Sequence, residues 1–448
     1  MTAEPATSTR PTSAREAATL ALGRQTTRFP DLLPLRPDDS ALAPRDAALA
    51  SAIYDAAIRR WLTLEHVLEA FAKPSLRRLE APLRAVLLAG AAQALLLDRL
   101  PAYAIIDESV ELAKRLIRPG AGGLVNAVLR RVIETRGDRA AIWADEGDVP
   151  VDRLPLSDGG ALGLRSTHLP NDESKRWAAA FSLPTWLIDR WKAEHGAVAA
   201  WHMARHTLIE PPTILNIAHG TPPKRCSPHD SPGSAVWTGP RAELGAAVGA
   251  GSDVWVQDPA SSASVAAITD LTPTLIVDLC AGQGTKTRQL LAAFPNAGVL
   301  ATDADPDRLA TLRAAVSDQP RAEVVPLDAI ESRAGGRADL VVLDVPCSNT
   351  GVLARRLEAR YRASPTQLAR LVELQRQIIS MGTRLRSPSG RILYATCSIE
   401  RDENQSQAAW MADRFGLRVE RESLRLPRGK PGGDPRDYAD GSYHALLG

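Results

Sequence analysis

Apolar residues recur at steps of three and four along the first third of the chain. Leu83, Val86, Leu87, Gly90 and Ala91 form one such stripe, and Leu124, Val125, Val128, Leu129 and Val132 form another. That period places the residues on one face of an α-helix, so residues 14–136 are expected to fold as an all-α domain, with Pro82 and Pro101 at helix starts. Arg59, Arg77, Arg115 and Arg130 lie between the stripes; most such positions suit solvated helix faces, and a subset would meet phosphates. The pattern then changes. Residues 137–170 are polar and rich in Gly, Pro and Asp, which predicts a linker or an irregular insertion. Residues 171–248 mix a helical segment with a proline-rich stretch and a strand candidate at 213–217, a small α/β subdomain. From 249 to 448, short hydrophobic runs at 275–279, 298–302, 322–326, 340–343 and 391–395 alternate with helical patterns. Such alternation predicts a doubly wound parallel sheet, an α/β Rossmann-like domain in a multidomain chain.

Composition narrows the class. At 448 residues and 44% hydrophobic content the chain can bury real cores, and a net charge of +2 is too small to indicate a nucleic-acid partner by itself. Residues 2–14 are rich in Thr, Ser, Ala and Pro and lack the apolar core of a signal peptide, and no run reaches the length of a membrane span. A cytoplasmic protein with reduced thiols is expected. Its four cysteines, at positions 226, 280, 347 and 397, form no close C-x-x-C pair, which argues against a metal site.

Two of those cysteines carry the candidate chemistry. Cys347 closes Asp344-Val345-Pro346-Cys347, and Cys397 lies in Ala395-Thr396-Cys397-Ser398; each motif follows a strand-like run. In an open parallel sheet the ligand crevice lies beyond the carboxyl ends of the strands, so neighbouring strands would bring both thiols to one site. Cys226 and Cys280, outside such motifs, read as ordinary packing residues. The first strand of the sheet runs into Asp278-Leu279-Cys280-Ala281-Gly282-Gln283-Gly284-Thr285-Lys286-Thr287, a glycine turn that opens a helix and lets a ligand approach the backbone. A nicotinamide site uses a similar turn, and Asp303 after the next strand suits a ribose in either case. Thr285 precedes the lysine, so the turn is not a phosphate-binding P-loop. The acid ending the first strand and the later Asp-x-Pro-Cys favour an S-adenosylmethionine pocket, with Asp303 on the ribose hydroxyls and Asp328 near the adenine.

The stretch from Gln257 to Asn404 resembles the RNA cytosine-C5 methyltransferases. The resemblance runs in order through Val256-Gln257-Asp258-Pro259-Ala260-Ser261, the glycine turn, Asp303-Ala304-Asp305-Pro306-Asp307-Arg308-Leu309, Asp328, Asp344 to Gly351, and Thr396-Cys397-Ser398. Asp98-Arg99-Leu100-Pro101-Ala102-Tyr103-Ala104 and Val125-Asn126-Ala127-Val128-Leu129-Arg130-Arg131 resemble the NusB-like RNA-binding domain fused to the small-subunit ribosomal RNA branch of that family. Asp440-Gly441-Ser442-Tyr443-His444-Ala445 resembles its closing strand. The resemblance implies a class I S-adenosylmethionine methyltransferase domain behind a NusB-like domain. Its substrate would be small-subunit ribosomal RNA, in a hairpin loop; neither membrane nor DNA partners are implied. It implies Cys397 as nucleophile, Cys347 as the residue that resolves the adduct, and Asp344 and Lys286 as further catalytic groups. Cofactor contacts would come from Asp278, Cys280, Ala281, Gly282, Gln283, Gly284, Thr285, Lys286, Asp303, Arg308, Asp328 and Asp344.

The chain also departs from that pattern. The family turn Ala-Pro-Gly-Gly-Lys-Thr is here Gly282-Gln283-Gly284-Thr285-Lys286-Thr287, Leu-Arg-Val-Asn becomes Leu215-Asn216-Ile217-Ala218, and the arginine-rich segment after Gly351 is altered over 354–362. Two other readings compete: a transfer RNA methyltransferase, and a noncatalytic RNA-binding or antitermination-type factor. Retention of both cysteines, Asp344 and Lys286 speaks against the second. An amino-group methyltransferase would carry an Asn/Asp-Pro-Pro-aromatic loop, which is absent at 344–347.

Overall fold

Helices Ala14–Thr26, Pro44–Arg59, Trp61–Glu69, Ala81–Leu96, Ala102–Leu116 and Ala121–Glu134 occupy the first third of the chain in this computed structural model, which describes residues 10–140, 143, 147–248 and 252–448. Most of the polar tail expected over 2–14 lies outside the described residues. Their starts follow local chemistry: Ser13 accepts from the Glu16 backbone N–H, and prolines occupy the first turns of the helices at Pro44 and Ala81. A Cβ at Gly90 would meet Leu129 Cδ1 at 2.6 Å, so this glycine is what lets the two predicted apolar stripes pack face to face.

The stretch expected as a linker forms a three-stranded antiparallel sheet instead. Strands Arg136–Ala140, Arg153–Pro155 and Ala161–Leu164 pair with the third in the centre. Leu154, Leu162 and Leu164 are buried there, but three short strands with glycines at close backbone approaches read as irregular sequence. Helices Glu173–Phe181, Thr185–His195 and Ala197–His206 follow. The chain divides into two compact units, the first running to Leu208 and the second beginning at Ile209. The first unit also takes in Arg356–Arg362 from far along the chain. There the Tyr361 hydroxyl donates to Ile58 O (2.6 Å) and accepts from the Trp61 backbone N–H (3.1 Å), while Arg360 donates to Arg59 O (2.6 Å) and Thr207 O (2.8 Å).

The second unit holds two sheets. Cys226–Pro228, Ser234–Trp237, Ile214–Asn216 and Trp255–Val256 form a four-stranded antiparallel sheet in that spatial order. The larger sheet has seven strands: β1 Leu275–Asp278, β2 Gly298–Ala301, β3 Ala322–Val324, β4 Ala338–Asp344, β5 Arg386–Thr396, β6 Val419–Arg425 and β7 Ser442–Leu447. Their order is β3-β2-β1-β4-β5-β7-β6. The first five are parallel, while β7 runs antiparallel between β5 and β6, so the sheet is mixed rather than wholly parallel. Hydrophobic period alone cannot distinguish the direction of a strand. Val341, Leu343, Ile392 and Tyr394 face one apolar layer and Leu340, Val342, Leu393 and Leu446 the other, which explains the unbroken apolar runs of the central strands. Among the described residues no helix is long and apolar enough to cross a membrane.

Candidate active site

Strands β4 and β5 are neighbours with Asp344 opposite Ala395, and each chain leaves the sheet at the same level. Cys347 comes three residues after Asp344 and Cys397 two residues after Ala395, so the register delivers both cysteines to one place. Their sulfurs are 3.2 Å apart. Cys347 is buried, whereas Cys397 is partly open. The hydrogen bond with the Cys397 thiol, reinforced by burial, pushes Cys347 well above the ordinary thiol range, so it holds its proton.

The loop after Cys347 is pinned at several points. Gly351 donates to Cys397 O (3.0 Å) and accepts from Gly441 N–H (2.7 Å). A Cβ there would meet Gly441 O at 2.6 Å and Cys397 O at 2.8 Å, so only glycine fits this three-way backbone crossing. The fully buried Glu403 accepts from Ser348 N–H (2.9 Å), Ser348 Oγ (2.5 Å) and Gln375 Nε2 (3.0 Å). Burial raises its pKa against those hydrogen bonds. Gln375 also donates to Pro346 O (3.0 Å), and the Tyr394 hydroxyl to Glu403 O (2.6 Å), which makes Tyr394 a support for the loop rather than a surface for a base.

Lys286, from the helix Thr285–Ala293, donates to Asp344 Oδ2 (2.8 Å) and Ser261 Oγ (3.3 Å). Burial alone would lower the lysine pKa, but the Asp344 carboxylate outweighs it and the net shift is upward. Asp278, at the end of β1, accepts from Thr287 Oγ1 (2.7 Å), while its other oxygen is buried without a hydrogen-bond partner. Burial, reinforced by the nearby Asp344, raises Asp278 to about 7. Gly282 and Gly284 take positive φ angles of 57° and 90°, which shape the turn. Asp303 binds that turn directly, accepting from Gly282 N–H (2.9 Å) and Asp305 N–H (2.9 Å).

A cavity of about 570 Å³ opens beside it, lined by residues that include Asp303, Leu309, Leu327, Asp328, Ile330 and Met381. The fold therefore brings Asp303 and Asp328 to one cavity, and Lys286, Asp344, Cys347 and Cys397 to one cluster. Asp278, Cys280, Ala281, Gly282, Gln283, Gly284 and Thr285 do not line that cavity, although the Gly282 contact ties their turn to its wall. Arg308 is exposed on the helix Pro306–Ala315 and also stands off the lining. Burial, assisted by Asp278, pushes the Cys280 thiol up, as expected of an unreactive packing residue.

Sequence reasoning assigned no role to Glu403, Asn349 or Arg355. Glu403 follows Cys397 by six residues within Arg401-Asp402-Glu403-Asn404, and a carboxylate so near a reactive strand end was the available signal. Arg355 binds Asp440 Oδ2 (2.6 Å), Asp258 Oδ2 (3.0 Å) and Pro212 O (3.1 Å), joining segments far apart in sequence. No local pattern announces that network. Asp258, with its side chain 8% exposed, is raised to about 6, by desolvation first and by Asp440 second.

Comparison with known proteins agrees with both halves of this architecture. The profile of the 16S rRNA methyltransferase RsmB/F family matches residues 268–420, and that of the NusB family matches 12–134. Ribosomal RNA small subunit methyltransferase B of Sodalis glossinidius is 30% identical over 85% of this chain and 84% of its own. The protein of the same name from Vibrio cholerae is 29% identical over 91% and 90%. The crystal structure of PH0851 superposes with a TM-score of 0.70 at 19% identity, covering 98% of this chain and 99% of that one, which shows the shared fold. The chain therefore belongs to the 16S rRNA methyltransferase RsmB/F family, with a NusB-family domain at its amino-terminal side.

Proposed function

We propose that this protein transfers a methyl group from S-adenosylmethionine to C5 of a cytidine in small-subunit ribosomal RNA, through a transient bond between Cys397 and C6 of the base. The observation that carries the reading is the pair of sulfurs 3.2 Å apart beside the Asp344–Lys286 pair. A base with C6 against one thiol would present its N3/N4 edge to Asp344. The cavity fits the methyl donor: Asp303 and Asp328 are acceptors suited to ribose and adenine donors, and Leu327, Ile330 and Met381 offer apolar area to a purine ring. Bound there, the donor would supply an electrophilic methyl group on a positively charged sulfur.

Cytosine C5 is a weak nucleophile. Addition of the Cys397 sulfur to C6, with the thiol proton passing to water, moves the C5–C6 π pair toward C5 and makes that carbon enamine-like. Asp344, oriented by Lys286, would hold the pyrimidine edge while this charge develops. Once C5 has taken the methyl group, transfer of the C5 proton to water lets the C–H electron pair re-form the C5–C6 double bond and expels the Cys397 sulfur as a thiolate. Cys347, which keeps its proton and touches the other sulfur, is placed to protonate the departing Cys397. Its deeper burial supports giving the nucleophilic role to Cys397. The base must leave any stack to reach these groups, which costs least in a loop, so a ribosomal RNA hairpin loop in the cytoplasm is the substrate we assign.

The test is methyl transfer from labelled S-adenosylmethionine to purified small-subunit and transfer RNA, with the product mapped by bisulfite sequencing. One protected cytidine in the small-subunit RNA, absent with Cys397→Ala, is the expected outcome. Methylation of transfer RNA alone, or undiminished transfer by Cys397→Ala, would overturn it.

A further inference from the structure

Asn349 holds both cysteine segments at once. Its Nδ2 donates to Cys347 O (2.8 Å), and its Oδ1 lies 3.3 Å from Cys397 Sγ. The amide cannot be turned round without placing Oδ1 against the Cys347 carbonyl, and two acceptors do not bond. Oδ1 therefore faces the sulfur, and because a carboxamide oxygen only accepts, Cys397 must donate its S–H. A thiolate in that position would meet lone pairs. Asn349 also sits at φ 63°, a left-handed conformation that asparagine tolerates better than most residues, and the Gly351–Cys397 backbone bond holds the loop in place around it.

We propose that Asn349 is a positioning residue that keeps Cys397 in its thiol form until a base enters. When the sulfur turns toward C6, its 3.3 Å contact with Asn349 is given up, and the proton that the amide held on sulfur passes to water as the S–C6 bond forms. The surrounding charges leave that role to the amide. Cys347 is a thiol, Lys286 favours the thiolate but is neutralised by Asp344, and Glu403 stands behind the Cys347 loop. The inference rests on Cys397 as nucleophile.

The experiment is iodoacetamide alkylation of the full-length protein across pH, with Cys397 modification read peptide by peptide. Asn349→Gly, which accepts the positive φ, should lower the Cys397 midpoint by about one pH unit, close to tenfold more thiolate at neutral pH. Asn349→Asp, of the same shape, should raise it. An Asn349→Gly midpoint equal to or above that of the unmodified protein, or an Asn349→Asp midpoint that does not rise, would overturn the proposal. Methylation by Cys397→Ala, measured separately, tests the nucleophile assignment; its failure would leave the alkylation result on Asn349 readable.

Discussion

Lys286 Nζ lies 2.8 Å from Asp344 Oδ2, with the lysine side chain 11% exposed and the aspartate 34%, so the lysine is held largely out of water while the carboxylate keeps one side open to it. Removing one member of such a half-open pair leaves an uncompensated charge that water partly screens, at a cost on the order of 1–2 kcal/mol, between the exposed and fully buried cases. Asp344→Asn and Lys286→Met should each lower stability in urea by that order, and the double variant should recover much of the loss. Methyl transfer should stay absent in all three. A double variant no more stable than the singles would show that the residues act independently.

The two thiols should fail in opposite ways. Cys397→Ala should bind RNA and form no adduct, whereas Cys347→Ala should form the adduct and release it slowly. Denaturing electrophoresis should then show a retarded RNA-linked band for Cys347→Ala only. The reverse pattern would exchange their roles.

Asp278 gives a pH dependence with a definite sign. Its pKa is raised from 3.8 to about 7, so between those values the folded chain binds more protons than the unfolded chain. Stability from this residue is therefore greatest below pH 4 and declines as pH rises toward 7. Asp278→Asn keeps an acceptor for Thr287 and cannot ionise. The stability difference between it and the parent protein should grow across that window, in favour of the variant, by on the order of 1–3 kcal/mol. A flat difference in urea titrations would refute this.

Gly351→Ala should cost about 1–3 kcal/mol, because the new methyl meets two backbone oxygens that cannot move apart without breaking the loop. Thermal unfolding measures that loss. Cys347 adduct resolution should slow more than cofactor binding weakens, since the clash lies at Gly441 and Cys397 rather than at Asp303.

Much of the site was legible because register is a sequence property. The apolar runs before Asp344 and Ala395 announce buried strands, and their ends bring Cys347 and Cys397 into contact. The glycine turn was visible for a similar reason, since Gly282 and Gly284 take backbone angles other residues avoid. Contacts between distant segments were not visible: Glu403 reaches Ser348, and Arg355 reaches Asp258 and Asp440, with no periodicity to mark them. The sheet at 136–164 was hidden because its strands are three to five residues long and its glycines resemble loop punctuation.

The placement of Arg356–Arg362 means that the chain is threaded rather than sequential: it passes from one unit to the other after Leu208, returns after Arg355 and leaves again after Arg362. A gene cut after codon 208 would not yield two whole parts. The amino-terminal fragment would lack the tyrosine that caps Ile58 O and the Trp61 N–H. The remainder would carry Arg360 and Tyr361, 0% and 4% exposed in the intact chain, as an orphaned plug in water. A single break therefore damages both products, and the amino-terminal unit can be isolated whole only if residues 356–362 are supplied to it by graft or in trans.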